Sequence, residues 1–432
     1  MIEIIQDEIR AIYGLTEFID NNYKLWLNCY RGEYPWLGGE NLESLNLAAS
    51  ISSELARLTT IEFESDCDDE DYKKIVENSR RFTEYGLALG GLIIKPYLVG
   101  NKIAINYLTP DMYIILEFSN FEQIKHVVFI DRIKKYENKK NIYYTRLEEH
   151  EETQNGWRIK NTCYISENYY SLGDKWNLNS VDCWKTLKEE QVFNVDFPLF
   201  SYFKNPQANN LDLQSYEGVS CFSRALSLIQ DADEQYQRIL WEFRGTEIAI
   251  DADITVLKKN GDLPKGKERL FRNLGFDQKD GFYEIFSPQI RDSSLFNGLN
   301  KILRRIEFTV GLAYGTLSEV DEVEKSATEV KMSKQRSYST VVDIQKELQK
   351  TLENILNILG YYKNKNLKAS FDFDDSLIVD AETEQNIRLQ EVAAGLVTPE
   401  FYLNWRYGLT DKEINKILPK VVEDDNQEFE EE

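Results

Sequence analysis

The sequence predicts an α+β protein built from more than one module. At 432 residues it exceeds the usual reach of a single hydrophobic core. Its first half mixes short helical patterns with strand-like runs, whereas long helical periodicity dominates the second half. Hydrophobic residues make up 42% of the chain, with 25 Tyr, 22 Phe and 7 Trp, enough apolar surface to exclude wholesale disorder.

The first 215 residues carry the mixed texture. Leu45, Ala48 or Ala49, Ser52, Leu55 and Leu58 fall at helical spacing and predict an amphipathic helix over 42–58. Seven acids in the ten residues 62–71 then read as a solvated loop, and a helix is expected over 71–89, stopped by Gly90 and Gly91. The run 92–99, the turn Gly100-Asn101-Lys102 and the run 103–107 read as a β-hairpin. Further strands are expected at 114–118, 127–133, 142–147, 157–165 and 199–203.

Past Asn205-Pro206-Gln207 the texture changes. Phe222, Ala225/Leu226, Ile229, Ala232, Tyr236, Ile239/Leu240 and Phe243 recur every three or four residues, predicting a helix that ends at Gly245. Residues 245–291 read as a small insert with strands at 248–257 and 282–286. A second helix follows with Leu295, Leu299, Ile302/Leu303, Ile306 and Val310 on one face and Asp292, Ser293 and Ser294 as capping candidates. Residues 313–325 read as an acidic loop. Ser326-Ala327-Thr328-Glu329 fits a capping box opening a helix of more than thirty residues that runs to Gly360. A strand over 369–373, a small helical module over 381–418 and an acidic tail from Glu423 complete the chain.

The charge balance is 51 basic against 74 acidic side chains, a net of −23, the opposite of a protein that grips nucleic acid through its phosphates. Met1–Glu8 lacks the basic and apolar regions of a signal peptide. The longest apolar stretch, near Leu87–Ile94, is too short for a membrane span, and five scattered cysteines without C-x-x-C read as reduced thiols. A soluble protein made in a cytoplasm, with no membrane partner, is expected. Only two histidines occur, His126 and His150, and both read as bland surface or strand residues. Residues 261–268 imitate a phosphate-binding loop as far as Lys267, but Glu268 stands where Ser or Thr must hold magnesium, and Pro264 removes an amide. The acidic run 66–71 lacks the glycine and distal glutamate of an EF-hand. No catalytic residue, cofactor or metal site is predicted, and the chain is not expected to be an enzyme.

In order and texture, residues 40–420 resemble the portal proteins of tailed bacteriophages, of the siphophage type. The resemblance rests on Arg80–Gly91 with its hairpin, the Phe197-Pro198-Leu199-Phe200 strand, the helix launched at Gly218-Val219-Ser220 and the helix 295–312. It continues through Glu324–Val330 opening the long helix, then Phe371–Ser376 and Ala393–Thr398. It implies a portal fold: a wing at 1–215, a stem helix at 216–244, a clip at 245–291, a second stem helix at 292–312 and a tunnel loop at 313–326. A long kinked helix with the rest of the wing would cover 327–375, a small crown 376–420 and a disordered acidic tail 421–432. It also implies a ring of about twelve copies at one capsid vertex of the virion, assembled in the host cytoplasm. Such a ring channels double-stranded DNA during packaging and ejection. It works with the terminase large subunit, a head-completion or adaptor protein, and the major capsid and scaffolding proteins.

Mapped by that resemblance, the tunnel loop holds Thr316, Glu319, Asp321, Glu322, Glu324 and Lys325, whose acids would repel phosphates and keep DNA from sticking. On the second stem helix Lys301, Arg304 and Arg305 would either face channel DNA or make salt bridges to a neighbouring subunit. The clip holds eight basic and eight acidic residues, neutral on an acidic chain. Its Lys258, Lys259, Lys265, Lys267, Arg269 and Arg272 are the expected docking site for the terminase. Two other classes stay open: another oligomeric phage head–tail or tail protein, and an enzyme with a carboxylate active site.

Overall fold

The computed structural model describes residues 3–14, 22–38, 43–100, 102–137, 139–245, 249–252, 271–273, 283–286, 291–319, 327–373, 381–410 and 414. The fold is α+β. Two compact units divide the chain, Met1–Phe373 and Asp374–Glu432.

The first unit opens with helices α1 (Glu3–Ile12), α2 (Asn22–Tyr30) and α3 (Leu47–Thr60). Ile51, Leu55 and Ala56 are fully covered on the buried face of α3, so the expected helix forms, about one turn later than its pattern began. Strand β1 (Phe63–Glu64) precedes α4 (Glu70–Glu77) and α5 (Ser79–Leu89), where one continuous helix was expected. Asn78 makes the break: it sits at φ −93°, ψ 3°, and its side-chain amide donates to the Lys74 carbonyl at 2.7 Å. An asparagine competes for the backbone in this way.

The hairpin forms as expected from β2 (Gly91–Val99) and β3 (Lys102–Leu108). A six-stranded sheet follows: β4 (Tyr113–Phe118), β5 (Ile124–Glu137), β6 (Lys140–Thr153), β7 (Gly156–Ser166) and β8 (Asp174–Trp176) in that order, with β9 (Glu190–Phe193) also paired to β7. Strand alternation sends Val127 and Phe129 to one face, against Ile93 and Phe200, and Val128, Ile130 and Leu147 to the other, against Ile5 and Ile9 of α1. Both faces are covered. Strand β10 (Ser201–Lys204) adds to β2.

Where the chain leaves β10, two backbones touch. Gly90 adopts φ +87°, and a Cβ there would lie 2.4 Å from the Gly218 carbonyl oxygen; a Cβ on Gly218 would lie 2.0 Å from that of Gly90. Asn205 N donates to Gly90 O at 3.0 Å and Cys221 N to Leu87 O at 2.9 Å. Only glycine allows this approach.

A 3₁₀ turn over Ser223–Ala225 then leads into α6 (Leu226–Gly245). The insert contains a sheet of β11 (Ala249–Ala252), β12 (Phe271–Asn273) and β13 (Tyr283–Phe286), in the order β12-β11-β13. Strands β11 and β13 fall where strands were expected; β12, parallel to β11, was not foreseen. Helix α7 (Asp292–Val310) begins at Asp292 itself, and its N-cap Arg291 makes no side-chain capping bond, so the expected cap is not formed. Helix α8 (Ala327–Lys363) runs 37 residues, roughly 55 Å. Val341, Ile344, Leu348, Leu352, Ile355 and Leu359 form its fully buried stripe, each contributing about 1.5–3 kcal/mol by transfer from water. The helix passes Gly360 instead of stopping there, turns back through Lys365 N→Gly360 O at 2.9 Å, and leads to β14 (Asp372–Phe373), paired with β1. Of the second unit, α9 (Ala381–Ala393) and α10 (Pro399–Tyr407) are described, the latter capped by Thr398. No described helix is long and apolar enough to cross a membrane.

Candidate functional site

Helices α6 and α7 pack antiparallel, burying Ile229, Ala232 and Ile239 on one side and Leu299, Ile306 and Val310 on the other. Arg291 Nη2 pairs with Glu242 Oε2 at 2.9 Å, and Gln235 Nε2 donates to the Leu295 carbonyl at 3.1 Å. Asp233, fully buried on α6, anchors the N-terminal region: it accepts from Trp36 Nε1 at 3.0 Å, Ser44 Oγ at 3.0 Å and Leu45 N at 2.9 Å.

The loop after α7 is rooted on a buried carboxylate. Glu307 is 0% exposed and accepts from Gly315 N at 3.2 Å, Leu317 N at 2.6 Å, Ser318 N at 2.8 Å and Ser318 Oγ at 2.9 Å. Two turns earlier, Asn300 exchanges two bonds with the Glu319 backbone, Nδ2→O at 3.1 Å and N→Oδ1 at 2.8 Å. Arg304 Nη2 adds a third, to Glu319 O at 3.3 Å. The chain up to Glu319 is thereby held against α7 by side chains of α7 itself.

The basic residues expected on this helix are therefore not equivalent. Arg304 is half-buried and committed to the loop, whereas Lys301 and Arg305 are exposed. The Arg305 and Arg336 guanidiniums lie 5.3 Å and 4.3 Å from the ring centre of Phe308. Of the loop residues, Thr316 is exposed with its hydroxyl on Ala313 O at 2.7 Å, and Glu319 is held by its backbone. Asp321, Glu322, Glu324 and Lys325 lie outside the described residues, as do Ser326 and the phosphate-loop look-alike at 261–268. Lys258, Lys259, Lys265, Lys267 and Arg269 also fall outside; Arg272 is in β12. Glu307, Asn300 and Asp233 were missed by sequence reasoning. One signal was available: an acid in the last turn of a helix opposes the macrodipole and needs another use.

A second polar cluster lies on the six-stranded sheet, lining a cleft of about 610 Å³ beside Tyr97, Trp184, Phe193 and Tyr362. Glu148 is its centre: Oε2 meets Lys95 Nζ at 2.7 Å and Arg146 Nη2 at 3.0 Å, and Oε1 meets His150 Nε2 at 2.8 Å. Arg146 also reaches Asp131 at 3.3 Å, which accepts from Trp184 Nε1 at 3.1 Å. Burial alone would raise the Glu148 carboxyl, but Lys95, His150 and Arg146 overcome it and hold it well below the carboxylate range. His150 is 1% exposed within β6, so of the surface and strand positions expected for it the strand one holds. Burial pushes its pKa below 6.5 despite the pull of Glu148.

That shift has a sign. An unfolded chain takes up a proton at this histidine near pH 6.5, and the folded chain does so only at lower pH. Stability should therefore fall as pH drops below about 6.5, with a slope of at most about 1.4 kcal/mol per pH unit from this group. His150→Gln, which keeps a donor for Glu148, should shrink the loss of melting temperature between pH 7.5 and pH 5. An equal loss in the variant would exclude His150 as the cause. Glu217 acts oppositely, since burial raises its carboxyl, so the comparison must be with wild type at each pH.

Two carboxylate groupings resemble cation sites. His126, Glu149 and Glu151 offer ligand atoms within 4.8 Å of one another. His126 Nε2 is 2.9 Å from Glu149, Tyr13 donates to Glu149 at 3.2 Å, Lys160 lies 3.8 Å away and Arg158 pairs with Glu151. The grouping is an ion-pair network whose charges are already balanced. The acidic run 66–71 is only partly the expected solvated loop. Asp69 caps α4 by accepting from Asp71 N and Tyr72 N, both at 3.1 Å, and Lys363 Nζ at the end of α8 bridges Asp69 and Asp71 at 2.5 Å and 2.8 Å.

The chain matches no protein-family model and no curated protein. Among solved structures it is similar to a chain of the virion of a native gene transfer agent (GTA) particle, at 9% identity and a TM-score of 0.46, covering 91% of this chain and 95% of that one. A chain from the neck of the native GTA particle, computed with C12 symmetry, gives 10% identity and 0.45, covering 83% and 89%. One from the neck of the empty GTA particle, computed with C6 symmetry, gives 9% and 0.49, covering 91% and 95%.

Proposed function

We propose that this chain is the portal subunit of a tailed-phage-type particle. It would form a ring-shaped, non-enzymatic DNA channel at one capsid vertex. The observation that carries the reading is the plan of residues 226–363. Two antiparallel helices, α6 and α7, flank a small three-stranded sheet, and a loop rooted on Glu307 follows before a 37-residue helix. A helical stem closed by a compact clip needs this order of elements, and head-to-tail copies of such a subunit can close a ring. In this reading residues 1–215 form the N-terminal part of the wing, and 327–375 the long helix with the wing's C-terminal part. Residues 216–244 and 292–312 form the stem, 245–291 the clip that docks the terminase large subunit and later a head-completion protein, 313–326 the tunnel loop and 376–420 the crown. Capsid and scaffolding proteins would meet the wing.

The net charge of −23 fits a conduit that must let DNA slide. Electron microscopy and native mass spectrometry of the purified protein should reveal closed rings of about twelve subunits. Only monomers across a range of concentration and salt, or a two-fold dimer, would overturn the reading.

A further inference from the structure

Because α6 and α7 run antiparallel, each position on one has a counterpart at the same level on the other. Gln235 lies against Leu295 and Gly298, and Glu242 against Arg291. That correspondence sets Asp231 level with Lys301, and Ser227 level with Arg305. Each helix also carries one exposed stripe. On α6 it is Ser227, Asp231, Glu234, Arg238 and Trp241, with Trp241 70% exposed. On α7 it is Asn297, Lys301, Arg305 and Phe308, with Phe308 44% exposed.

The stripes differ in sign where Asp231 on α6 and Lys301 on α7 share a level. Acids occupy the α6 stripe at 231 and 234, and bases occupy the α7 stripe at 301 and 305. Glu234 has only a loose pair with Arg238 at 3.9 Å and a bond from Gln230. Among the described residues no ion pair is made by Asp231, Lys301 or Arg305. A charge left at the surface beside an exposed tryptophan on an otherwise packed helix pair suits a protein neighbour better than water.

Resting on the ring reading above, we infer that the α7 stripe of one copy docks on the α6 stripe of the next, Lys301 meeting Asp231 at one level, with Arg305 and Glu234 to either side of that pair. Level matching decides between symmetries. Where the stem runs along the ring axis, rotation moves a copy without raising it, so residues at one level meet. A two-fold contact through either stripe sets like charge on like.

Charge reversal tests this. Lys301→Glu with Arg305→Glu, and separately Asp231→Lys with Glu234→Lys, should each lower the ring fraction at least tenfold in native mass spectrometry. Circular dichroism melts of the monomers should not move, because all four side chains are exposed. Combining the four substitutions should restore rings. Rings at wild-type level in both reversed variants, or no recovery in the combination, would overturn the inference while the portal reading stands. Intact rings with weakened, less salt-sensitive DNA binding in the Lys301/Arg305 variant would overturn it in favour of phosphate contact. Absence of rings in the wild type would instead remove the reading on which it rests.

Discussion

Replacing Glu307 by alanine should destabilise the protein by about 3 kcal/mol or more, the larger part from donors left without an acceptor. Three amides and a hydroxyl converge on this one fully buried carboxylate. Each orphaned donor costs about 1–3 kcal/mol where water does not reach it, and water entering the vacated space recovers part of that. Glu307→Gln should cost less, since one oxygen still accepts while its NH₂ opposes a remaining donor. Urea denaturation gives the stability change, and hydrogen exchange should show amides 315, 317 and 318 losing protection before those of α6. A change below about 0.5 kcal/mol would mean that the loop holds its shape without the carboxylate. In the portal reading this variant should still form rings but package DNA poorly, because the tunnel loop would leave its helix in no fixed direction.

Glu148→Ala should cost about 3–5 kcal/mol, the usual penalty for stripping the partner from buried charge. Lys95 is 4% exposed, with its ammonium 4.6 Å from the Phe129 ring, and loses the carboxylate that pairs with it at 2.7 Å. Lys95→Met should cost much less, because Glu148 keeps Arg146 and His150. Adding Lys95→Met to Glu148→Ala should therefore recover part of the loss. A double variant as unstable as the sum of the two singles would show that Lys95 and Glu148 do not interact energetically.

What the sequence disclosed depended on the range of the interaction. The stripe from Val341 to Leu359 announced α8 by spacing alone, and Gly100-Asn101-Lys102 announced the hairpin. Both are local signals. The break at Asn78 was hidden, because its neighbours continue the helical pattern and only its side-chain bond to Lys74 ends it. His150 was hidden differently. Glu148-Glu149-His150-Glu151-Glu152 looks like a solvated run, yet strand alternation sends Glu148 and His150 to one face and Glu149 and Glu151 to the other. The alternation was legible; the lysine that neutralises Glu148, more than fifty positions earlier, was not. On α7, Lys301, Arg304 and Arg305 looked alike by spacing, and only the return of Glu319 to that helix separates Arg304 from the other two. Asp233 reads as an interruption of an apolar stripe until Trp36 and Ser44 arrive from almost two hundred residues away.

The glycine-on-glycine approach of Gly90 and Gly218 bears on how the molecule carries load. Most junctions between elements are padded by side chains, which yield by changing rotamer. Here the main chain entering β2 presses on the main chain that launches α6, and flanking amide bonds from Asn205 and Cys221 pin both sides. A thrust along α6 would meet almost no slack at that point and pass into the β2–β3 hairpin as strain. Adding a single methyl group at either glycine would wedge the two backbones apart. The junction behaves as a weld, and a helix welded at its base can act as a lever.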